Sequence, residues 1–245
     1  MPFATTICIA VYETIYAVNQ MTTPHSALAE LTRSGNTDLA AKMARQYKID
    51  RPYLGVSNPQ IDTLYKAWRS NTDMTTRIAI AAYLWDSNIH EARIAAAKLL
   101  TQARINPDTA VWDEILRWVP DFDGAALTDH ACGAIARRLP VDPSRLDTLE
   151  NWVTDTNALV RRAALIATLP WAKMNNPSEP DLVTRERVLG WIATYTVDKD
   201  PSLQRAVAEW LRSLSKHAKP RAIEFIEEYG HQMQAHTVKE ISAVL

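Results

Sequence analysis

The chain has 245 residues, 47% of them apolar, and a formal net charge of −1. This suits a globular protein with one large core or a short repeat array. Only 6 glycines argue against hairpin turns, a dinucleotide fingerprint and a phosphate-cradling loop, and the near-zero charge gives no global sign of a nucleic-acid binder.

Residues 1–20 contain no Lys or Arg and a single acid, Glu13. Their apolar run at 7–12 is too short to span a membrane, and without a basic flank it is a poor secretory signal. Met21 precedes Thr22, Thr23 and Pro24, a helix-start composition. The expectation is a loosely attached extension over 1–20, with a short strand or helix as the alternative, followed by a single repeat domain over 21–245.

From there the apolar residues recur at helical spacing. Ile61, Leu64, Tyr65 and Trp68 form one stripe, and Ile78, Ala81, Ala82 and Trp85 form another. Val188, Trp191, Ile192 and Tyr195 repeat it, Leu203, Ala206, Val207, Trp210, Leu211 and Leu214 extend it, and Ala222, Phe225, Ile226 and Tyr229 close the series. Each stripe needs a neighbour to cover it. Breakers fall between them at Asn58-Pro59, Asn106-Pro107-Asp108, 140–143, 175–180 and 198–201, where Asp or Asn can cap the next helix. No sustained alternation follows residue 20, so about ten to twelve short helices and no sheet are expected.

An internal echo points to a repeat array. The stretches EARIAAAKLL (91–100), RRAALIATL (161–169) and QRAVAEWLRSL (204–214) each set Arg before small residues. Arg162 and Arg205 are separated by about 43 positions, the length of a HEAT-type helix pair. Stacked pairs of this kind give an all-α, right-handed superhelix with a concave face.

The two cysteines, Cys8 and Cys132, are far apart and suggest a reducing, cytoplasmic setting. No CxxC or HExxH spacing occurs, and His231 and His236 are poorly placed to share a helix face. Neither metal nor cofactor is expected. Residues 131–221 carry more Lys and Arg than Asp and Glu, so a local basic patch can exist despite the overall balance. Asp129 and Arg162, on consecutive helices, are the candidate charged site.

Several ordered stretches resemble the bacterial DNA alkylation repair family of HEAT-like DNA glycosylases. They are DRPYLGVSNPQIDTLYKAW (50–68), HEARIAAAKLL (90–100), FDGAALTDHA (122–131), RRAAL (161–165) and QRAVAEWLRSLSK (204–216). The resemblance runs from about Met21 to the C-terminus. It implies a basic concave face holding duplex DNA and hydrolysis of the bond between deoxyribose and a cationic N3- or N7-alkylated purine, without the base being pulled fully into a pocket.

Residue by residue, the resemblance places Asp129 on the family's catalytic aspartate and Arg162 on the arginine beside it. Three aromatic positions depart from the pattern: Ala125, Leu159 and Glu209 stand where tryptophans are expected, with Trp210 one place along from the last. Arg161, Arg162, Arg205 and Arg212 are candidate phosphate contacts, with Arg137, Arg138, Lys216 and Lys219 as outer ones. Glu209 and Trp210 are candidate substrate contacts, and Glu209 would attract a cationic base and repel phosphate.

The chemistry asks little of a general acid, because a cationic purine already leaves well. The sugar gains oxocarbenium character, which a fixed carboxylate stabilises. At 4 Å and an effective dielectric near 20 this is about 4 kcal/mol, or roughly three powers of ten in rate. A tryptophan beside the cationic base would add about 0.5–2 kcal/mol. Asp129 and Arg162 therefore favour a monomeric alkylpurine glycosylase acting on duplex DNA. Ala125, Leu159 and Glu209 favour a non-catalytic DNA-binding paralogue, and the near-neutral charge leaves a HEAT-type protein-interaction scaffold open.

Overall fold

The computed structural model describes residues 22–243; the expectation for 1–20 lies outside them. The described residues are helical without strands. The fourteen α-helices among the described residues are numbered α1 to α14 in chain order. The chain divides after Leu100 into two compact units.

The first unit holds α1 (Pro24–Arg33), α2 (Thr37–Tyr47), α3 (Asn58–Ser70), α4 (Met74–Asp86) and α5 (His90–Leu100). α4 packs on α5 and α1, and α3 packs on α5. Their starts are fixed locally. Thr23 and Ser57 form capping boxes, while Asn36 and Asp73 accept amide hydrogen bonds at α2 and α4. Ile61, Trp68, Ile80, Leu84, Trp85 and Ile94 lie in the core. The loop before α3 is held from within: the fully buried Glu91 carboxylate accepts from the amides of Leu54, Gly55 and Val56 at 3.0, 2.6 and 3.2 Å. Gly55 has φ +74°, and a Cβ there would lie 2.0 Å from the Asn36 carbonyl oxygen, so only glycine fits.

The second unit holds α6 (Thr109–Trp118), α7 (Ala125–Arg138), α8 (Leu146–Trp152), α9 (Ala158–Ala167), α10 (Leu169–Ala172), α11 (Glu179–Tyr195), α12 (Pro201–His217), α13 (Lys219–Tyr229) and α14 (Ala235–Ser242). α7 packs on α9, α9 on α12, and α12 on α13 and α14. Helices α8 and α10 have 7 and 4 residues, too few to show a full stripe in sequence. Of the capping positions read from the breakers, Asp200 caps α12, but α11 starts in a capping box at Ser178. Asp108 makes no side-chain cap; it is buried against Arg138 and Arg145 instead.

The repeat is visible in the hydrogen bonding. Side-chain bonds between neighbouring helix pairs recur at sequence separations such as 33 for Asp129–Arg162, 37 for Arg161–Asp198, 38 for Trp68–Glu30 and 42 for Tyr195–Val153. These are the spacings of stacked helix pairs. The echo noted in sequence also performs one job twice. Arg161 donates to the Asp155 carbonyl and Gln204 to the Asp198 carbonyl, each reaching back 6 residues to the loop before its helix.

Tryptophans fill this framework. All 8 lie within the described residues, and each is at most 8% exposed. Where their ring N–H groups reach the edge of the core they are taken up, as by Glu30 for Trp68, Glu114 for Trp118, Asp181 for Trp171 and Glu150 for Trp191.

Candidate functional site

Helix α7 buries Leu127, Thr128, Ala131, Cys132, Ala134 and Ile135. That leaves Ala125, Asp129 and Gly133, one turn apart, on a half-exposed face. Helix α9 turns Arg162 toward this face from a buried position. Its guanidinium grips the Asp129 carboxylate with two bonds, Nε to Oδ1 at 2.9 Å and Nη2 to Oδ2 at 2.8 Å. The third nitrogen, Nη1, donates to the Ser202 carbonyl at 2.6 Å, at the start of α12. Arg162 thus joins three successive helix pairs and fixes the carboxylate plane. The arginine side chain is 6% exposed, the aspartate side chain 39%. Charge is held from below and presented above.

Burial alone would lower the Arg162 pKa. The bonds and charge of Asp129, with smaller contributions from Cys132 and Glu209, outweigh it and leave the pKa raised. Glu209 therefore stands within electrostatic reach of Arg162. Cys132, buried one turn from Asp129, is pushed far up, first by burial and then by the Asp129 charge. It stays a thiol and is no nucleophile.

Helix α12 carries the rest. Its apolar stripe, Trp210 included, faces the core, and Trp210 is fully buried. Trp210 therefore presents no face to a DNA base, and Glu209 is the residue at the surface of this turn. The stripe already contained Trp210 in sequence, between Val207 and Leu214. Arg205, Glu209, Arg212 and Lys216 lie along the opposite side, from half-exposed to exposed. Beside them opens a cleft of about 430 Å³ lined by Lys173, Glu209, Arg212, Ser213, Lys216 and His217. Arg212 also lies 3.7 Å from Glu240 on α14, and His217 Nδ1 bonds Asn175 at 2.7 Å. Lys173 and His217 were not singled out in sequence. Lys173 follows α10, a helix too short to be read there.

The other arginines divide sharply. Arg161 bonds Asp198 at 3.0 Å and the carbonyls of Asp155 and Thr156, so its two terminal nitrogens are committed to loops. Arg138, read from sequence as an outer contact, is fully buried. It donates to Gln102 and Asp108, and Arg145 shares the same aspartate while covering the Trp112 ring. Arg205 is exposed. One repeat before it, where Arg162 has Asp129, the chain has Ala172.

Ala125 and Leu159 flank the Asp129–Arg162 pair, one turn before each member, and both are half-exposed. No aromatic ring stands at either place. Among the described residues, no group of three or more His, Cys, Asp or Glu could hold a metal ion, and no helix is long and apolar enough to cross a membrane.

Fold and site together define an all-α helical-repeat protein with an acid–arginine pair and a basic cleft on one of its units. The family model described as DNA alkylation repair enzyme matches residues 27–243, and the chain belongs to that family. A solved structure from Enterococcus faecalis, described as a predicted DNA alkylation repair enzyme, superposes with a TM-score of 0.69. It covers 85% of this chain and 95% of its own at 18% identity, a likeness of fold. No curated protein matches.

Proposed function

We propose that the protein hydrolyses the N-glycosidic bond of cationic N3- or N7-alkylated purines in duplex DNA. The observation that carries this reading is Asp129, a half-exposed carboxylate fixed by two bonds from a buried arginine. As the C1′–N9 bond of the N3- or N7-alkylated purine weakens, the bonding electrons leave with the base and cancel its charge. The sugar becomes cationic, and Asp129 stabilises it while orienting a water. The water oxygen bonds to C1′, and its proton passes to Asp129 or to solvent.

The pairing sets the size of the effect. A cation 4 Å from the carboxylate stands at roughly twice that distance from the guanidinium behind it. At an effective dielectric near 20 the pair then contributes about 2 kcal/mol net, against about 4 for the carboxylate alone. The arginine gives up part of the field in return for a carboxylate that needs no reorganisation. Arg205, Arg212, Lys216 and Lys173 provide phosphate contacts along α12 and the cleft, while Glu209 faces the base.

A second reading, a DNA-binding relative without catalysis, draws on the burial of every tryptophan, which leaves no indole to stack on a cationic base. One experiment separates them. Methylated duplex is incubated with enzyme in excess, and free N7-methylguanine and alkali-labile abasic sites are measured. The glycosylase reading expects both in equal amounts. Binding of the duplex with no release above background would establish the second reading instead.

A further inference from the structure

We infer that Glu209 is the specificity-determining residue that reads the positive charge of the damaged base, by a carboxylate rather than by aromatic stacking. The inference rests on the glycosylase reading and refines its substrate selection.

Three observations meet at this residue. The first is charge balance. Asp129 and Arg162 neutralise one another through two short bonds, and the remaining Arg162 nitrogen is used by Ser202. Glu209 therefore adds a carboxylate charge that this pair does not offset. The second is position. Glu209 is half-exposed on α12, lies close enough to act on Arg162, and lines the cleft on its other side. It makes no hydrogen bond or ion pair among the described residues. The third is the burial of all 8 tryptophans, which removes indole cation–π selection.

The rest of the cleft shows which ligand suits this arrangement. Lys173, Arg212, Lys216 and His217 surround the single carboxylate. An ordinary nucleotide brings only a phosphate for the cations and leaves Glu209 facing a neutral base. An N-alkylated purine nucleotide brings both signs, a phosphodiester for the lysines and arginine and a cationic ring for the carboxylate. A neutral lesion of the same shape gains nothing from Glu209 and pays its repulsion toward phosphate.

The test uses two stable duplexes. Both carry 2′-fluoro-2′-deoxyguanosine at one position, since the fluorine suppresses the oxocarbenium ion and prevents hydrolysis; one is also N7-methylated. Binding is measured at mildly acidic pH, where the methylated base is cationic. The wild-type protein is expected to prefer the methylated duplex about tenfold, a Coulombic effect of ordinary size for a half-exposed carboxylate. Glu209→Gln is expected to bring the preference within about twofold of unity. Its affinity for the unmodified duplex should hold or rise, which also shows that the variant is folded.

A Glu209→Gln protein that keeps the wild-type preference overturns the inference. So does a wild-type protein with no preference. In either case release of N7-methylguanine from ordinary methylated duplex is measured in parallel. Continued release leaves the glycosylase reading standing without this refinement, whereas its absence removes both.

Discussion

Breaking the Asp129–Arg162 bond from one side should cost more than breaking it from the other. Asp129→Ala leaves a guanidinium at 6% exposure with only the Ser202 carbonyl as a direct partner. Loss of one member of a buried pair costs about 3–5 kcal/mol, and the exposed aspartate side reduces this to roughly 3. Arg162→Met keeps most of the buried stem. It releases a carboxylate that is 39% exposed and can be hydrated, so the loss is about 1–2 kcal/mol, including the bond to Ser202. The double variant removes both charges and should resemble Arg162→Met alone. The coupling from the double-mutant cycle is then about 3 kcal/mol. Urea unfolding followed by tryptophan fluorescence measures it, because six tryptophans of the second unit are buried near or beyond this pair. With a slope of about 3 kcal/mol per molar urea, 3 kcal/mol moves the midpoint by about 1 M. Equal single losses that simply add, with coupling under about 0.5 kcal/mol, would refute the reasoning.

Three further outcomes follow from other parts of the molecule. Glu91→Gln should destabilise the first unit by about 2–4 kcal/mol, seen as a lower thermal midpoint, because an amide cannot accept from all three of the Leu54, Gly55 and Val56 N–H groups as the carboxylate does. The hydrogen bonds of Arg145 are the main reason the Asp108 pKa is depressed. A depressed carboxylate contributes stability that is present above its unfolded value near ~3.9 and lost as pH falls through the folded one. Acid titration of unfolding stability should therefore show a loss below about pH 4 that Asp108→Asn flattens, and a wild-type-like acid limb in that variant would contradict the assignment. Trp210→Phe should cost less than about 1.5 kcal/mol, since the buried Nε1 has no hydrogen-bond partner to lose. DNA affinity should stay within about twofold in that variant, as measured by anisotropy, and a larger loss would mean that the ring does reach DNA.

The helices were legible because their apolar residues recur at 3.6 spacing and must be buried. Trp68, Trp85 and Trp191 lie in the core as their stripes require. The stripe also assigned Trp210 correctly where position-by-position matching left it beside the site. What spacing could not reveal was the destination of each arginine. Arg138 and Arg161 look like surface cations in sequence, but carbonyls at helix ends and loops need donors, and only the folded chain shows which arginine meets them. The Asp129–Arg162 pair was legible as a candidate, but its two-bonded geometry was not, because two residues 33 apart meet only through the stacking of α7 on α9. Lys173 and His217 escaped notice because the cleft that gives them meaning is built from separate segments.

The central claim is that Asp129 stabilises a developing sugar cation. It is tested most directly by single-turnover release of N7-methylguanine from duplex DNA, with the wild type beside Asp129→Asn. Removing the carboxylate deletes its full attraction and leaves Arg162 facing the cation, so the rate should fall by about a thousandfold, corresponding to about 4 kcal/mol, with DNA affinity little changed. Equal rates in a folded variant with unchanged affinity would contradict the account.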